Sequence, residues 1–361
     1  MPWRNHPDPY AVWVSEIMLQ QTQVETVKHY FTRFMTAFPT VAALAAAMQQ
    51  DVLKAWEGLG YYTRARNLQK AAQQIVQTGG KLPTTAQDWS ALSGIGTYTA
   101  AAIASICFHE YVPVVDGNVA RVFARYLMWS DDFRKPVARA KLAQWLTPFI
   151  KASQRPGDFN QAMMDLGATC CTPRTPTCSD CPLHATCRAR RHTAIAEFPV
   201  KPNKKQLPQR HDIGFIVRDS QANVLLVQRT KTALLHGLWE LPSCALASAK
   251  QPTQKELCAC FKNLTGLTAH AVHAAGTIAH LFSHFKQTLH CYTVEPWEGS
   301  VVPQEGTTLR FAVPATLPLT TVARRALGIT ADRQSAQGAT NARSSAKTRK
   351  NPTGRSPSRS C

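Results

Sequence analysis

Four cysteines set the first chemical constraint. Cys171, Cys178, Cys181 and Cys187 follow the spacing C-x6-C-x2-C-x5-C inside one short stretch rich in proline and threonine. Four thiolates so close in sequence converge naturally on one soft metal centre. Structural zinc sites usually draw on paired C-x2–4-C units, and only one such pair is present, so an iron–sulfur centre stands slightly ahead of zinc and both remain open. Cys170 is adjacent but out of register. Cys107, Cys244, Cys258, Cys260, Cys291 and Cys361 lack ligand spacing and read as buried or incidental thiols. A second feature is Leu92-Ser93-Gly94-Ile95-Gly96, where Gly94 and Gly96 allow a tight turn and leave the amides of the following helix open to a phosphate. Such a turn by itself is more often structural than functional.

The elements that must hold these groups are read from periodicity. From Asp8 to about Arg188, apolar residues recur at three-to-four spacing, broken by Gly58-Leu59-Gly60, Gly79-Gly80 and Gly94-Ile95-Gly96; an all-α domain is expected over 1–187. Residues 188–210 mix prolines with lysines and arginines and suit an exposed basic connector. The period then changes. GFIVRD and NVLLVQRT, separated by Ser220-Gln221-Ala222, predict a β-hairpin, and HCYTV predicts a further strand, so an α+β domain is expected over 211–330. Residues 331–361 are polar and basic with little apolar content, and are expected to be disordered.

Composition agrees with a two-domain chain. In 361 residues, 41 Lys and Arg stand against 22 Asp and Glu, a net charge of +19, while 44% of residues are hydrophobic. That hydrophobic share excludes a wholly disordered basic protein, and the charge predicts a polyanionic partner. The stretches 188–210 and 331–361 each carry seven basic and one acidic side chain, and so supply +12 of the +19 between them. There is no apolar run of 18 residues and no apolar stretch behind Met1, so no membrane span or signal peptide is predicted, and a cytoplasmic, DNA-associated protein is expected.

A specific resemblance emerges when the motifs are taken in order. SEIMLQQTQV (15–24), GLGYYTRARNL (58–68), LSGIGTYTAAAI (92–103), VVDGNVARV (114–122) and FNQAMMDLGATCCT (159–172), followed by the cysteine loop, resemble the MutY-type adenine DNA glycosylases of the helix-hairpin-helix superfamily. The resemblance runs from residue 1 to about 330. It implies a helix-hairpin-helix fold, a [4Fe–4S] cluster on Cys171, Cys178, Cys181 and Cys187, and a monomeric enzyme that removes adenine mispaired with 8-oxoguanine or guanine in duplex DNA. It also implies a helix of about five turns, ~20 residues, ahead of Met1.

Cutting an N-glycosidic bond to adenine requires protonating a poor leaving group and stabilising a cationic sugar, hence one raised-pKa acid and one ionised carboxylate. The resemblance gives the first role to Glu16, which would protonate an adenine ring nitrogen and later activate water. It gives the second to Asp116. Read as residues alone, Glu16 passes for a solvated helix residue, and Asp116 with Asn118 for a helix cap. Relatives that also cleave the backbone carry a lysine where this chain has Tyr98, since a Schiff base needs an amine. A monofunctional glycosylase is therefore expected, with the phenol helping to stabilise the sugar cation. The alternatives are an endonuclease III-type glycosylase/lyase and a catalytically silent DNA-binding protein.

Further substrate contacts follow from the same resemblance. Trp3, Arg4, Leu19 and Gln161 would surround the flipped adenine, with Gln20 and Asn118 in the substrate-binding set. Gln21, Thr22, Leu59 and Tyr61 would lie on the opposite side, where Tyr61 can wedge beside a base. Gly94 and Gly96 would meet DNA phosphate. The run Tyr62-Thr63-Arg64-Ala65-Arg66 offers either phosphate contacts or a solvated helix face. VLLVQRTKTALLHGLWELPS (224–243) is similar to the opening of a Nudix fold, but only Glu256 follows where a pyrophosphatase needs several metal-binding glutamates, so hydrolysis is not expected. In the family this domain reads the oxidised guanine through a loop matched by Phe282-Ser283-His284.

Overall fold

The computed structural model describes residues 1–4, 8–200, 206–229, 235–246 and 251–329. The disordered tail expected over 331–361 lies outside the described residues. Helices α1 (Pro9–Leu19), α2 (Val24–Ala37), α3 (Val41–Ala46), α4 (Gln49–Ala55), α5 (Thr63–Gln77), α6 (Ala86–Ser90) and α7 (Thr97–Phe108) build one core. Helices α8 (Gly117–Leu127), α9 (Pro136–Ser153), α10 (Pro156–Asp165) and α11 (Arg188–Arg191) build a second.

Two helices are apolar on nearly every face and are therefore buried rather than amphipathic. Helix α1 buries every residue from Val12 to Met18, and α7 every residue from Thr99 to Ser105. Asp8 starts α1 by accepting from the amides of Tyr10 and Ala11, with Pro9 at the first helical position. The turn into α7 depends on Gly94, whose φ of +76° suits glycine and where an added Cβ would stand 2.5 Å from Asn67 Cβ. Helix α7 starts at Gly96 without a side-chain cap, leaving its first amides uncapped.

Helix α10 ends in a π-turn, Leu166–Cys170, which leads into the cysteine loop. The connector expected over 188–210 is docked onto the second core along its first part. Ala189, Ala194 and Phe198 are buried in the second core, and the Phe198 carbonyl accepts from the buried Arg125 Nε at 2.9 Å. The basic side chains face outward while three apolar residues between them anchor the segment. Residues 201–205 are outside the described set, and strand β1 (Gln209–Ile216) already begins within the expected connector.

The second domain sets β1, β2 (Val224–Arg229), β3 (Trp239–Glu240), β4 (Ser243–Ala245), β5 (Thr268–Ala269), β6 (Val272–Leu281), β7 (Lys286–Val294), β8 (Trp297–Glu298) and β9 (Thr307–Ala312) with helices α12 (Gln254–Thr265) and α13 (Thr321–Ala326). Its sheets have orders β4-β1-β7-β6, β3-β2-β9 and β5-β8, with β1 and β7 parallel. The expected hairpin is corrected here: its turn forms around Asp219, but the arms join different sheets and keep only the bridge Arg218–Val224. Val224, Leu225, Leu226 and Val227 are all buried, alternate residues facing different cores, so β2 must be covered on both faces. HCYTV lies in β7, as expected.

Glu256 is used by the fold. With Thr253 it forms the capping box that starts α12, accepting the Thr253 amide at 2.7 Å. Cys244 of β4 and Cys260 of α12 are joined as a disulfide, which corrects their expectation as separate thiols. Among the described residues no helix is long and apolar enough to cross a membrane.

The domains meet along α4. Gln50 bonds Trp239 Nε1 and the Gly237 carbonyl, Lys54 donates to the Leu317 carbonyl, and Glu57 accepts the Leu319 amide. Leu238 of the second domain is buried within the first helical core.

Candidate active site

A cavity of about 510 Å³ opens between the two helical cores. Its floor is Glu16, carried on buried α1 and only 6% exposed. Tyr98, in the first turn of α7, donates its phenol to Glu16 Oε2 at 2.6 Å and lies 3.6 Å from Met164 Sδ. Burial pushes the Glu16 carboxyl up, and nearby Asp116 adds to that; the Tyr98 hydrogen bond and Arg4 pull it back. Burial and the Glu16 carboxylate likewise raise the Tyr98 phenol well above its usual range. The pair is a short hydrogen bond between two buried acids at the cavity wall.

Asp116 faces the same cavity. It is also the N-cap of α8, with Oδ1 accepting the Val119 amide at 2.7 Å. The cap and the candidate catalytic group are one carboxylate. Burial raises its pKa, while the Val119 and Asn118 amides and Arg121 oppose the rise, so the ionised form expected of Asp116 is supported by its hydrogen bonds and opposed by its burial. Trp3, Arg4, Leu19, Asn118 and Gln161, the residues expected around the adenine or in the substrate-binding set, line the cavity with these groups. Arg4 is fixed by a two-armed ion pair to Asp165, one arm at 2.8 Å. Asp165 and Met164 were not singled out in the sequence, and neither has a spacing signal that would mark it.

The residues expected opposite the adenine do not form one group. Thr22 lines the cavity with the adenine-side residues. Leu59 is buried in the helical core. Gln20 is not at the cavity but donates to Thr99 Oγ1 at 3.1 Å, tying the end of α1 to α7. Gln21 is exposed in the turn after α1 with φ of +59°. Tyr61 is half exposed, at φ +48°, and its hydroxyl is 3.4 Å from Ser283 Oγ. Phe282, Ser283 and His284 form the β6–β7 turn, with Phe282 stacked on Phe285 at 4.6 Å and Ser283 and His284 exposed. Gly94 and Gly96 sit on the exposed turn before α7, outside the cavity. Arg64 provides neither expected face: it is turned inward against backbone carbonyls.

Cys171, Cys178, Cys181 and Cys187 line a single small apolar cavity, with Cys170 beside them. Among the described residues no three His, Cys, Asp or Glu side chains are gathered closely enough to hold a metal ion. Arg125 Nη1 lies 3.4 Å from Cys171 Sγ and donates to the Thr172 carbonyl at 2.7 Å. Burial and the neighbouring cysteines push the Cys178 thiol up. Four thiols around one cavity beside a buried guanidinium are, by their chemistry, a donor set that fits an anionic thiolate cluster.

Residues 14–148 match the HhH-GPD superfamily base excision DNA repair proteins, and residues 213–328 match the NUDIX domain. Fold and site together define a base-excision repair glycosylase with an appended Nudix-type domain. The mouse adenine DNA glycosylase is 37% identical over 347 positions, covering 81% of this chain and 67% of that protein. The human one is 37% identical over 349 positions, covering 81% and 63%. The one from Schizosaccharomyces pombe is 32% identical over 334 positions, covering 78% and 72%. The chain spans about two thirds of the length of the mammalian relatives, and it belongs to the adenine DNA glycosylase family.

Proposed function

We propose that the protein hydrolyses the N-glycosidic bond of adenine mispaired with 8-oxoguanine or guanine in duplex DNA, with no lyase step. The observation that carries this reading is the 2.6 Å Tyr98–Glu16 hydrogen bond inside a cavity that also presents Asp116. Burial raises the Glu16 pKa and so favours its protonated form, from which it gives its proton to a ring nitrogen as the bond to the sugar breaks and the electron pair leaves with adenine. Asp116 faces the resulting sugar cation, and the Glu16 carboxylate then takes a proton from the attacking water. Among the described residues no lysine lines the cavity, which disfavours a Schiff-base lyase. Tyr61 and the Phe282–His284 turn are the surface for the opposite base.

The test is a labelled duplex bearing adenine opposite 8-oxoguanine, incubated with and without alkali. Strand breakage only after alkali is expected. Breakage without alkali would point to a lyase, and intact DNA despite tight binding to a silent binder.

For the cofactor we propose a [4Fe–4S] cluster held by Cys171, Cys178, Cys181 and Cys187. Support comes from the family, the four cysteines lining one cavity and the guanidinium of Arg125 beside Cys171. When bound, such a cluster cross-links the loop and supplies no proton to the excision chemistry. Iron and sulfide analysis with a visible spectrum checks the assignment; zinc in place of iron would overturn it.

A further inference from the structure

Arg64 occupies a place that neither fold nor chemistry has so far explained. It lies in the first turn of α5, as the second residue of the helix. Its Nη1 donates to the carbonyls of Ile17, Met18 and Gln20, two of them at 2.9 Å. Its Nη2 donates to the carbonyls of Leu59 and Gly60, at 3.1 and 3.0 Å, and to Thr22 Oγ1 at 3.2 Å. The guanidinium also lies 5.4 Å from the Trp56 ring and 5.5 Å from the Tyr61 ring. One ion therefore touches the end of the helix that carries Glu16 and Leu19, the cavity-lining Thr22, and the turn that carries Tyr61.

The charge has no carboxylate partner among the described residues, and its Nε has no hydrogen-bond acceptor. What holds it is the unpaired carbonyls at the C-terminal end of α1, which a helix leaves without internal donors and which carry the negative end of its dipole. Burial correspondingly lowers the Arg64 pKa to about 10. A half-buried cation paired only with carbonyls is a poor choice for stability alone, because its desolvation is repaid only while both carbonyl groups stay in place. It is a good choice for keeping two segments in fixed register. Lysine cannot replace it, because an ammonium is a single point with three donors and no planar fork.

We propose that Arg64 is a positioning residue that makes the opposite-base wedge at Tyr61 and the acid-bearing end of α1 one mechanical unit, so that the base seated against Tyr61 sets the placement of Glu16. This rests on the reading above that Tyr61 meets the base opposite adenine. Opposite-base preference is then expressed in the excision step and not only in binding.

The test is single-turnover cleavage at saturating enzyme, using the full chain and two duplexes, adenine opposite 8-oxoguanine and adenine opposite guanine. Arg64→Lys is expected to slow cleavage of the first by about 10²-fold, the cost of a misplaced reacting group. It should bring the ratio of the two rates towards one. The salt dependence of duplex binding should not change, because Arg64 faces no phosphate. A merely structural role would lower the active fraction and scale both rates equally. An unchanged ratio in folded Arg64→Lys overturns the proposal. Should that variant melt below the assay temperature, Tyr61→Leu, at an exposed position, replaces it. A lower rate at saturation supports coupling, and a change in affinity alone refutes it. Wild-type enzyme that fails to cleave adenine opposite 8-oxoguanine would instead defeat the functional reading itself.

Discussion

The two sides of the site are built on opposite principles. The adenine side is an enclosed cavity assembled from helices of both cores, with Glu16 almost without solvent and bonded to Tyr98 before any DNA arrives. The side proposed for the opposite base is an exposed meeting of two domains, where half-exposed Tyr61 touches Ser283 at the long distance of 3.4 Å. Chemistry that must hold a proton on a carboxylate needs low dielectric and fixed partners. Recognition of a base that stays near the stack needs a surface the duplex can reach. The contrast predicts that substitutions on the first side stop the reaction, whereas those on the second redistribute it among substrates.

The largest effect is expected at Glu16. Glu16→Gln should reduce single-turnover cleavage by about 10⁴-fold while leaving duplex binding intact. It should also stabilise the protein at neutral pH. The folded pKa of Glu16 is raised by burial, so between its ordinary value and the raised one the native state holds a proton that the unfolded chain releases, and stability falls as pH rises through that window. Glutamine removes the loss, and calorimetry at pH 7 should show Tm rising by about 1–3 °C. A lower Tm would break the account of a carboxyl destabilised by its pocket.

Asp116→Asn is expected next. Asparagine caps helices as well as aspartate, so Tm should hold, while cleavage falls by about 10²–10³-fold from the loss of charge facing the sugar. Tyr98→Phe should cost about tenfold, the worth of one hydrogen bond. Because that bond lowers the Glu16 pKa, its removal should move the alkaline limb of the pH–rate profile to higher pH. A limb that moves down, or not at all, would show that another group titrates.

On the opposite side, Tyr61→Ala should narrow the preference for 8-oxoguanine over guanine by roughly tenfold, the range of one lost base–aromatic contact. Ser283→Ala should narrow it by about twofold, since a hydroxyl at that distance contributes little. Equal loss on both duplexes in either variant would erase the distinction between the two sides.

The difference between the sides also decided what could be read in advance. Glu16, Tyr98 and Asp116 sit in short, unbroken motifs at helix ends, so their types and order point to the chemistry, and the cavity brings them together. The expected opposite-base residues span a turn after α1, a turn before α5 and a β-turn in another domain, and no local pattern says which side chains turn outward. Leu59 therefore proved to be core, and Thr22 lines the adenine cavity. Arg64 was misread because a charged residue in an early helical turn is ordinarily solvated, and only the tertiary placement of α1 supplies the carbonyls that draw it inward. The docked segment after the cysteines was hidden by its own charge. The pairing of Cys244 with Cys260 depends on packing between β4 and α12 that sixteen residues of separation cannot encode.

Leu238 belongs to the Nudix-type domain by sequence but to the helical domain by burial, being 1% exposed among the aromatic residues of α1 to α7. A helical fragment produced by proteolysis or early termination would lack that plug and carry a void in its core, at a cost of about 2–5 kcal/mol. The Nudix-type domain thus completes the core of the helical domain it packs against.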